Sequence, residues 1–159
     1  MFILLRSLTY SALFIGLLLI YVPARLVSWT GLQAPAQIHF QQIAGLVFAT
    51  AGGALALWCI LTFARLGRGT PFPLDPPRRL VIRGPYRFVR NPMYIGAGMA
   101  LAGAALFRGS WALFGYAGAF LLATHFLILA YEEPTLRRSF GQEYEVYCSR
   151  VRRWWPRVF

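Results

Sequence analysis

Between Arg83 and Gly98 the chain reads Arg83-Gly84-Pro85-Tyr86-Arg87-Phe88-Val89-Arg90-Asn91-Pro92-Met93-Tyr94-Ile95-Gly96-Ala97-Gly98, a cationic, aromatic, turn-rich loop running directly into an apolar helix. Asn91 is suited to cap that helix, and Pro92 to occupy its first turn, where a missing N–H costs nothing. Tyr94, Gly96 and Gly98 fall in the opening turns, and glycine lets backbone approach a ligand closely. A helix N-terminus with free N–H groups, flanked by Arg87 and Arg90, suits an anionic group. The same residues also fit a membrane-surface loop whose arginines hold lipid headgroups.

Two further places carry groups able to do chemistry. Glu132 and Glu133 are adjacent carboxylates at the end of a long apolar run, expensive there unless partnered. They fit ion pairing with Arg87, Arg90 or Arg137, or acceptance of hydrogen bonds from a ligand's hydroxyl or amino groups. His125 lies two helical turns before Glu132, on the same face, and an ionisable residue inside a span is a functional candidate. It equally fits a packed histidine bonded to a nearby carbonyl. His39 reads as interfacial, and Tyr144 and Tyr147 as packing residues. Cys59 and Cys148 make neither a disulfide framework nor a ligand spacing, and no metal motif is present.

These groups sit in a membrane composition. Of 159 residues 58% are hydrophobic and 13% charged, with a mean hydropathy of +0.53. The net charge of +11 comes from 16 arginines and no lysine against five acids. Because the arginines border apolar runs, they argue for anionic headgroups and membrane orientation rather than nucleic acid.

Read in order, residues 2–22 make a first span long enough to cross a bilayer, with Arg6 at the interface. They read as an uncleaved span rather than a signal peptide. Residues 23–37 read as a loop and 38–66 as a second span, whose Ala51-Gly52-Gly53-Ala54 centre admits another helix. Residues 67–91, broken by Gly67, Gly69, Pro71, Pro73, Pro76 and Pro77, form a loop too long to be a mere connector. A third segment, 92–107, gives roughly 24 Å of helix, short for a crossing. Arg108-Gly109-Ser110 then turns into a fourth segment, 111–131, making a helical hairpin. Beyond Glu132, where the chain is expected to leave the membrane, Leu136, Phe140, Tyr144, Tyr147 and Val151 recur at the spacing of a surface amphipathic helix. Arg152-Arg153-Trp154-Trp155-Pro156 reads as a headgroup-level anchor. On this division every arginine except Arg25 and Arg108 falls on one side, which places both termini and the motif loop in the cytoplasm.

The expected fold is therefore an all-α integral membrane protein with about four transmembrane helices and a cytoplasmic amphipathic C-terminal helix. One domain is expected, with residues 1–66 as a two-helix membrane segment and 67–159 as the core.

Taken together, Gly84-Pro85-Tyr86, Arg90-Asn91-Pro92-Met93-Tyr94-Ile95-Gly96, Glu132-Glu133-Pro134-Thr135-Leu136, Phe140-Gly141, Glu143-Tyr144, Tyr147, Val151 and Arg153 through Pro156 form an ordered set. It resembles the isoprenylcysteine carboxyl methyltransferase and phospholipid methyltransferase superfamily of membrane enzymes over roughly residues 78–156. The resemblance implies S-adenosylmethionine bound at the cytoplasmic helix ends, and a lipophilic or small acceptor at the bilayer, in a bacterial inner membrane. It implies cofactor contacts from Arg78, Arg79, Leu80, Val81, Tyr86, Asn91, Pro92, Met93, Tyr94, Gly96 and Gly98, completed by Glu132 and Glu133. Arg90, Asn91 and Glu132 are the implied catalytic residues, with His125 or Arg153 orienting the acceptor. No metal and no nucleic acid are expected. The superfamily usually has histidine where this chain has Asn91; asparagine bonds and caps but cannot act as a general base, which either favours an already anionic nucleophile or makes the superfamily histidine a structural residue. Two rival readings are a nicotinamide-dependent membrane reductase of the sterol or steroid reductase type, and a non-catalytic membrane partner protein.

Overall fold

A computed structural model describes residues 16–31, 35–66 and 79–156. Arg6, most of the first expected span, and the 67–78 part of the loop with Arg78 lie outside the described residues. Among those described, the regular structure is helical, with one isolated parallel bridge between Val89 and Arg152.

The described chain begins with a π-helical run, Gly16–Tyr21, that passes into helix α1 (Val22–Trp29). The expected loop at 23 is thus helical through Trp29, because Pro23 falls in the first turn, where its missing N–H is tolerated. Gly31, at φ 64°, ends the element. Helix α2 (Phe40–Leu66) is the long second segment.

Helix α3 (Pro92–Arg108) runs antiparallel to α2 at backbone contact. Gly45 and Gly52 on α2 meet Gly103 and Gly96 on α3, seven residues apart on each helix. A Cβ on Gly52 would stand 2.5 Å from the Gly96 carbonyl oxygen, and one on Gly96 would stand 2.7 Å from that of Gly52. Small residues let two apolar helices approach this closely where the hydrophobic effect offers no drive between them. Of the expected small patch Ala51-Gly52-Gly53-Ala54, Gly52 packs on α3, whereas Gly53 faces open space.

Gly109 at φ 61° closes α3, with Ser110 donating to the Ala105 carbonyl at 3.0 Å. The Ser110 hydroxyl then accepts from Leu113 N–H at 3.3 Å and starts helix α4 (Trp111–Leu127), giving the expected hairpin. Helix α4 does not end at Tyr131. A π-helical run, Ile128–Glu132, carries it into α5 (Glu133–Phe140), so the two glutamates sit within a helical path rather than beyond one. Phe40–Phe63 and Trp111–Phe140 are each long and apolar enough to cross a membrane. Their outward residues, including Leu46, Val47, Leu57, Leu122 and Phe126, remain exposed in the isolated chain, as a lipid-facing surface requires.

The expected single amphipathic C-terminal helix is two helices. Gly141, at φ 49°, separates α5 from α6 (Gln142–Arg150). Tyr144, Tyr147 and Val151 turn inward onto Leu80, Leu136 and Phe140, so this stripe covers protein.

Candidate active site

The site gathers where the loop 79–91, the start of α3, the α4–α5 junction and the tail 151–154 meet. Gly84, at φ 61° with the Thr62 hydroxyl 3.2 Å from where a Cβ would be, starts the 3-10 turn Gly84–Arg87 against α2. That turn buries Tyr86 with Val81 and Cys59. The Tyr147 hydroxyl donates to the Tyr86 carbonyl oxygen at 2.7 Å and locks the turn to α6. Burial holds the Tyr86, Tyr144 and Tyr147 phenols above their ordinary range, so all three stay protonated.

The tail runs beside the motif. Arg90 N–H donates to the Arg152 carbonyl at 2.9 Å, and Asn91 N–H to that of Arg153 at 3.3 Å. The Asn91 side chain also reaches the Arg153 carbonyl, at 3.5 Å, and makes no capping bond. The expected side-chain cap is corrected accordingly: Asn91 holds the tail, and the N-terminus of α3 has no side-chain acceptor of its own.

Glu133 is the electrostatic centre. Its carboxylate, 5% exposed, takes Arg153 Nε on Oε1 at 2.7 Å and Arg153 Nη2 on Oε2 at 3.0 Å. Arg90 Nη1 lies 3.2 Å from Oε1, and Arg137 Nη2 3.8 Å from Oε2. Two-point arginine pairing is the strong, directional form of this contact. Of the partners expected for the glutamates, Arg90 and Arg137 are present, and Arg153 joins them. Arg90 Nη1 also donates to the Cys148 sulfur at 2.7 Å, while its buried Nε has no hydrogen-bond partner among the described residues.

Glu132, one residue earlier, turns to α3 and accepts a hydrogen bond from the Tyr94 hydroxyl. The adjacent glutamates therefore have different duties. Glu133 is saturated by arginines and holds the loop and tail in place, and Glu132 stands with one neutral partner at the start of α3. His125 is also engaged: its Nδ1 accepts from Trp154 Nε1 at 3.1 Å.

The remaining expected site residues sit on the same loop and helix, and each has packing contacts of its own. Gly96 lies against α2, and a Cβ on Gly98 would stand 2.7 Å from a Leu121 methyl on α4. The missing Cβ atoms of both glycines thus admit the close approach of α2 and of Leu121. Met93 and Pro92 are packed at the start of α3, Val81 is core, Leu80 joins the Tyr144 cluster, and Arg79 is exposed. Cys148 and Trp154 are further site neighbours, through Arg90 and His125. Nothing in their spacing to Arg90 or His125 signals contact, since the tail must first fold back over the helix break at Gly141.

These residues suit S-adenosylmethionine by donor type. The uncapped N–H groups of α3 and the orphaned Arg90 Nε are donors for a carboxylate. Glu132 is an acceptor for an ammonium or for hydroxyls. Comparison with known proteins agrees in kind: residues 40–143 match the family described as phospholipid methyltransferase. No curated protein and no solved structure matches the chain. The match takes in α2, the motif loop, the hairpin and both glutamates, and this chain belongs to the phospholipid methyltransferase family of membrane methyltransferases.

Proposed function

We propose that this protein transfers a methyl group from S-adenosylmethionine to a lipophilic or small acceptor at the cytoplasmic face of a membrane. The carrying observation is the opposed pair at the start of α3: an uncapped helix N-terminus beside Arg90, and Glu132 bonded to Tyr94 across from it. On this reading the chain is one domain of four spans, with α1 and its upstream residues and the short α3 adding to the two long helices. The arginine distribution supports a cytoplasmic site.

When bound, the cofactor would supply an electrophilic methyl: an acceptor's lone pair would bond to its carbon as the C–S bond breaks and that electron pair passes to sulfur, releasing S-adenosylhomocysteine. Arg90 and the α3 N–H groups hold its carboxylate, and Glu132 holds its ammonium or ribose hydroxyls. Glu133 fixes Arg90 and, through Arg153, keeps the tail over the loop. Asn91 cannot take a proton, which favours an acceptor that is already ionised, such as a carboxylate or thiolate, with placement supplying most of the rate. An amine acceptor needs another base.

The test is isothermal titration of detergent-purified protein with S-adenosylhomocysteine, using Glu132→Gln and Arg90→Ala beside the parent, with folding checked by circular dichroism. Saturable binding, weakened at least tenfold in both folded variants, is expected; losing one charged hydrogen bond costs about that much. No binding by the folded parent, with saturable NADPH binding instead, overturns the proposal in favour of the reductase reading.

A further inference from the structure

Away from the Tyr94–Glu132 pair, a groove of about 560 Å³ runs between the motif loop and α6. The residues before the 3-10 turn divide two environments. Val81 faces Cys59 and Tyr86 in the core, whereas its neighbours Leu80 and Ile82 line the groove. Phe88 completes the loop wall, Val146 stands opposite on α6, and Pro156 lies at the end. Ile82, Phe88 and Val146 are 47%, 55% and 41% exposed, an apolar trough open to its surroundings. Its size falls within the range of about 300–1,000 Å³ that small-ligand sites occupy.

The polar lining is cationic on balance. Arg87 and Arg150 face Glu143 alone among lining acids, and neither arginine has an ion-pair partner among the described residues. The Arg87 guanidinium lies 5.0 Å from the Phe88 ring centroid, a cation–π contact that holds charge against the apolar wall. Helix α6 follows the candidate span Trp111–Phe140 by the single residue Gly141, so the groove adjoins a membrane end. A soluble anion would satisfy the arginines and leave Ile82, Phe88 and Val146 in water. A lipid covers both parts.

We infer that this groove binds an anionic phospholipid of the host bilayer, its phosphate on Arg87 and Arg150 and an acyl chain along Ile82, Phe88 and Val146. Such a lipid is held, not methylated, and it seats the motif loop and α6 against the membrane surface. The inference extends beyond methyl transfer.

Native mass spectrometry tests it without an activity readout. Detergent-purified protein is offered equal phosphatidylglycerol and phosphatidylcholine of identical chains. The parent is expected to retain phosphatidylglycerol selectively. Arg87→Gln/Arg150→Gln is expected to lose that selectivity by roughly 30-fold, the worth of two cations at an anionic surface. Val146→Asp, which places a carboxylate in the trough, should lose it as well. Arg79→Gln/Arg83→Gln, which alters arginines outside the lining, should keep it. Equal retention of the two lipids by the parent overturns the inference, as does unchanged selectivity in the folded double variant. Displacement of phosphatidylglycerol by millimolar inorganic phosphate would also overturn it, by making this a free-anion site.

Discussion

Glu133→Gln is the perturbation whose cost the geometry fixes best. The carboxylate is 5% exposed and is shared by Arg153 at 2.7 Å and Arg90 at 3.2 Å. Glutamine keeps the shape and removes the charge, leaving Arg90, itself 13% exposed with an orphaned Nε, buried without a counter-ion. Breaking a buried pair this way costs about 3–5 kcal/mol, dominated by the unpaired charge left behind. For a chain of this size each kcal/mol moves the melting point by about 2–4 °C, so a fall of about 6–20 °C is expected. Thermal unfolding in detergent, followed by circular dichroism, reads it. The partners should rank by burial. Arg90→Gln should cost more than Arg153→Gln, whose arginine is 27% exposed. Arg137→Gln should cost less than about 1 kcal/mol, because Arg137 is 48% exposed, 3.8 Å away, and bonded to Glu145 as well. If Glu133→Gln lies within about 1 kcal/mol of the parent, or Arg137→Gln matches it, Glu133 is not the electrostatic centre of this fold.

Three other outcomes follow from the same structure. Gly52→Ile, whose Cβ meets the α3 backbone, should prevent α2 and α3 from pairing and abolish a folded, monodisperse species on size exclusion; Gly53→Ala, with open space around it, should be neutral or stabilising by about 0.5–1 kcal/mol. Tyr94→Phe should keep the fold, leave Glu132 without its phenol donor and lower stability by about 1–3 kcal/mol, read as a melting shift; an unchanged melting point would mean that water replaces the hydroxyl. Alkali tests the buried phenols. Folded values raised above the ordinary Tyr range of about 10 make their stability contribution complete below that pH and progressively lost above it, so absorbance near 295 nm should show Tyr86, Tyr144 and Tyr147 ionising only as helix content falls.

What the amino-acid order determined by itself was whatever depends on neighbours along the chain. Pro92 starts a helix and Gly109 ends it because a missing N–H and a left-handed φ are local matters. Span length and apolar content gave the two long helices, and the motif order from Gly84 to Pro156 gave the family. Long-range choices were not legible. Leu136, Phe140, Tyr144 and Tyr147 keep a helical spacing across Gly141, yet the chain breaks there at φ 49°, because burying the stripe on Leu80 needs a change of direction. Gly96 and Gly98 look like a ligand cradle in sequence; only the approach of α2 and Leu121 shows what their missing Cβ atoms admit. Adjacent glutamates, alike on paper, are separated by the helical rotation between them. One faces Tyr94, and the other faces arginines brought in from residues 90 and 153. Sequence spacing carries no record of which charges meet when a tail folds back, since that pairing is set by burial and by the desolvation cost of leaving any of them alone.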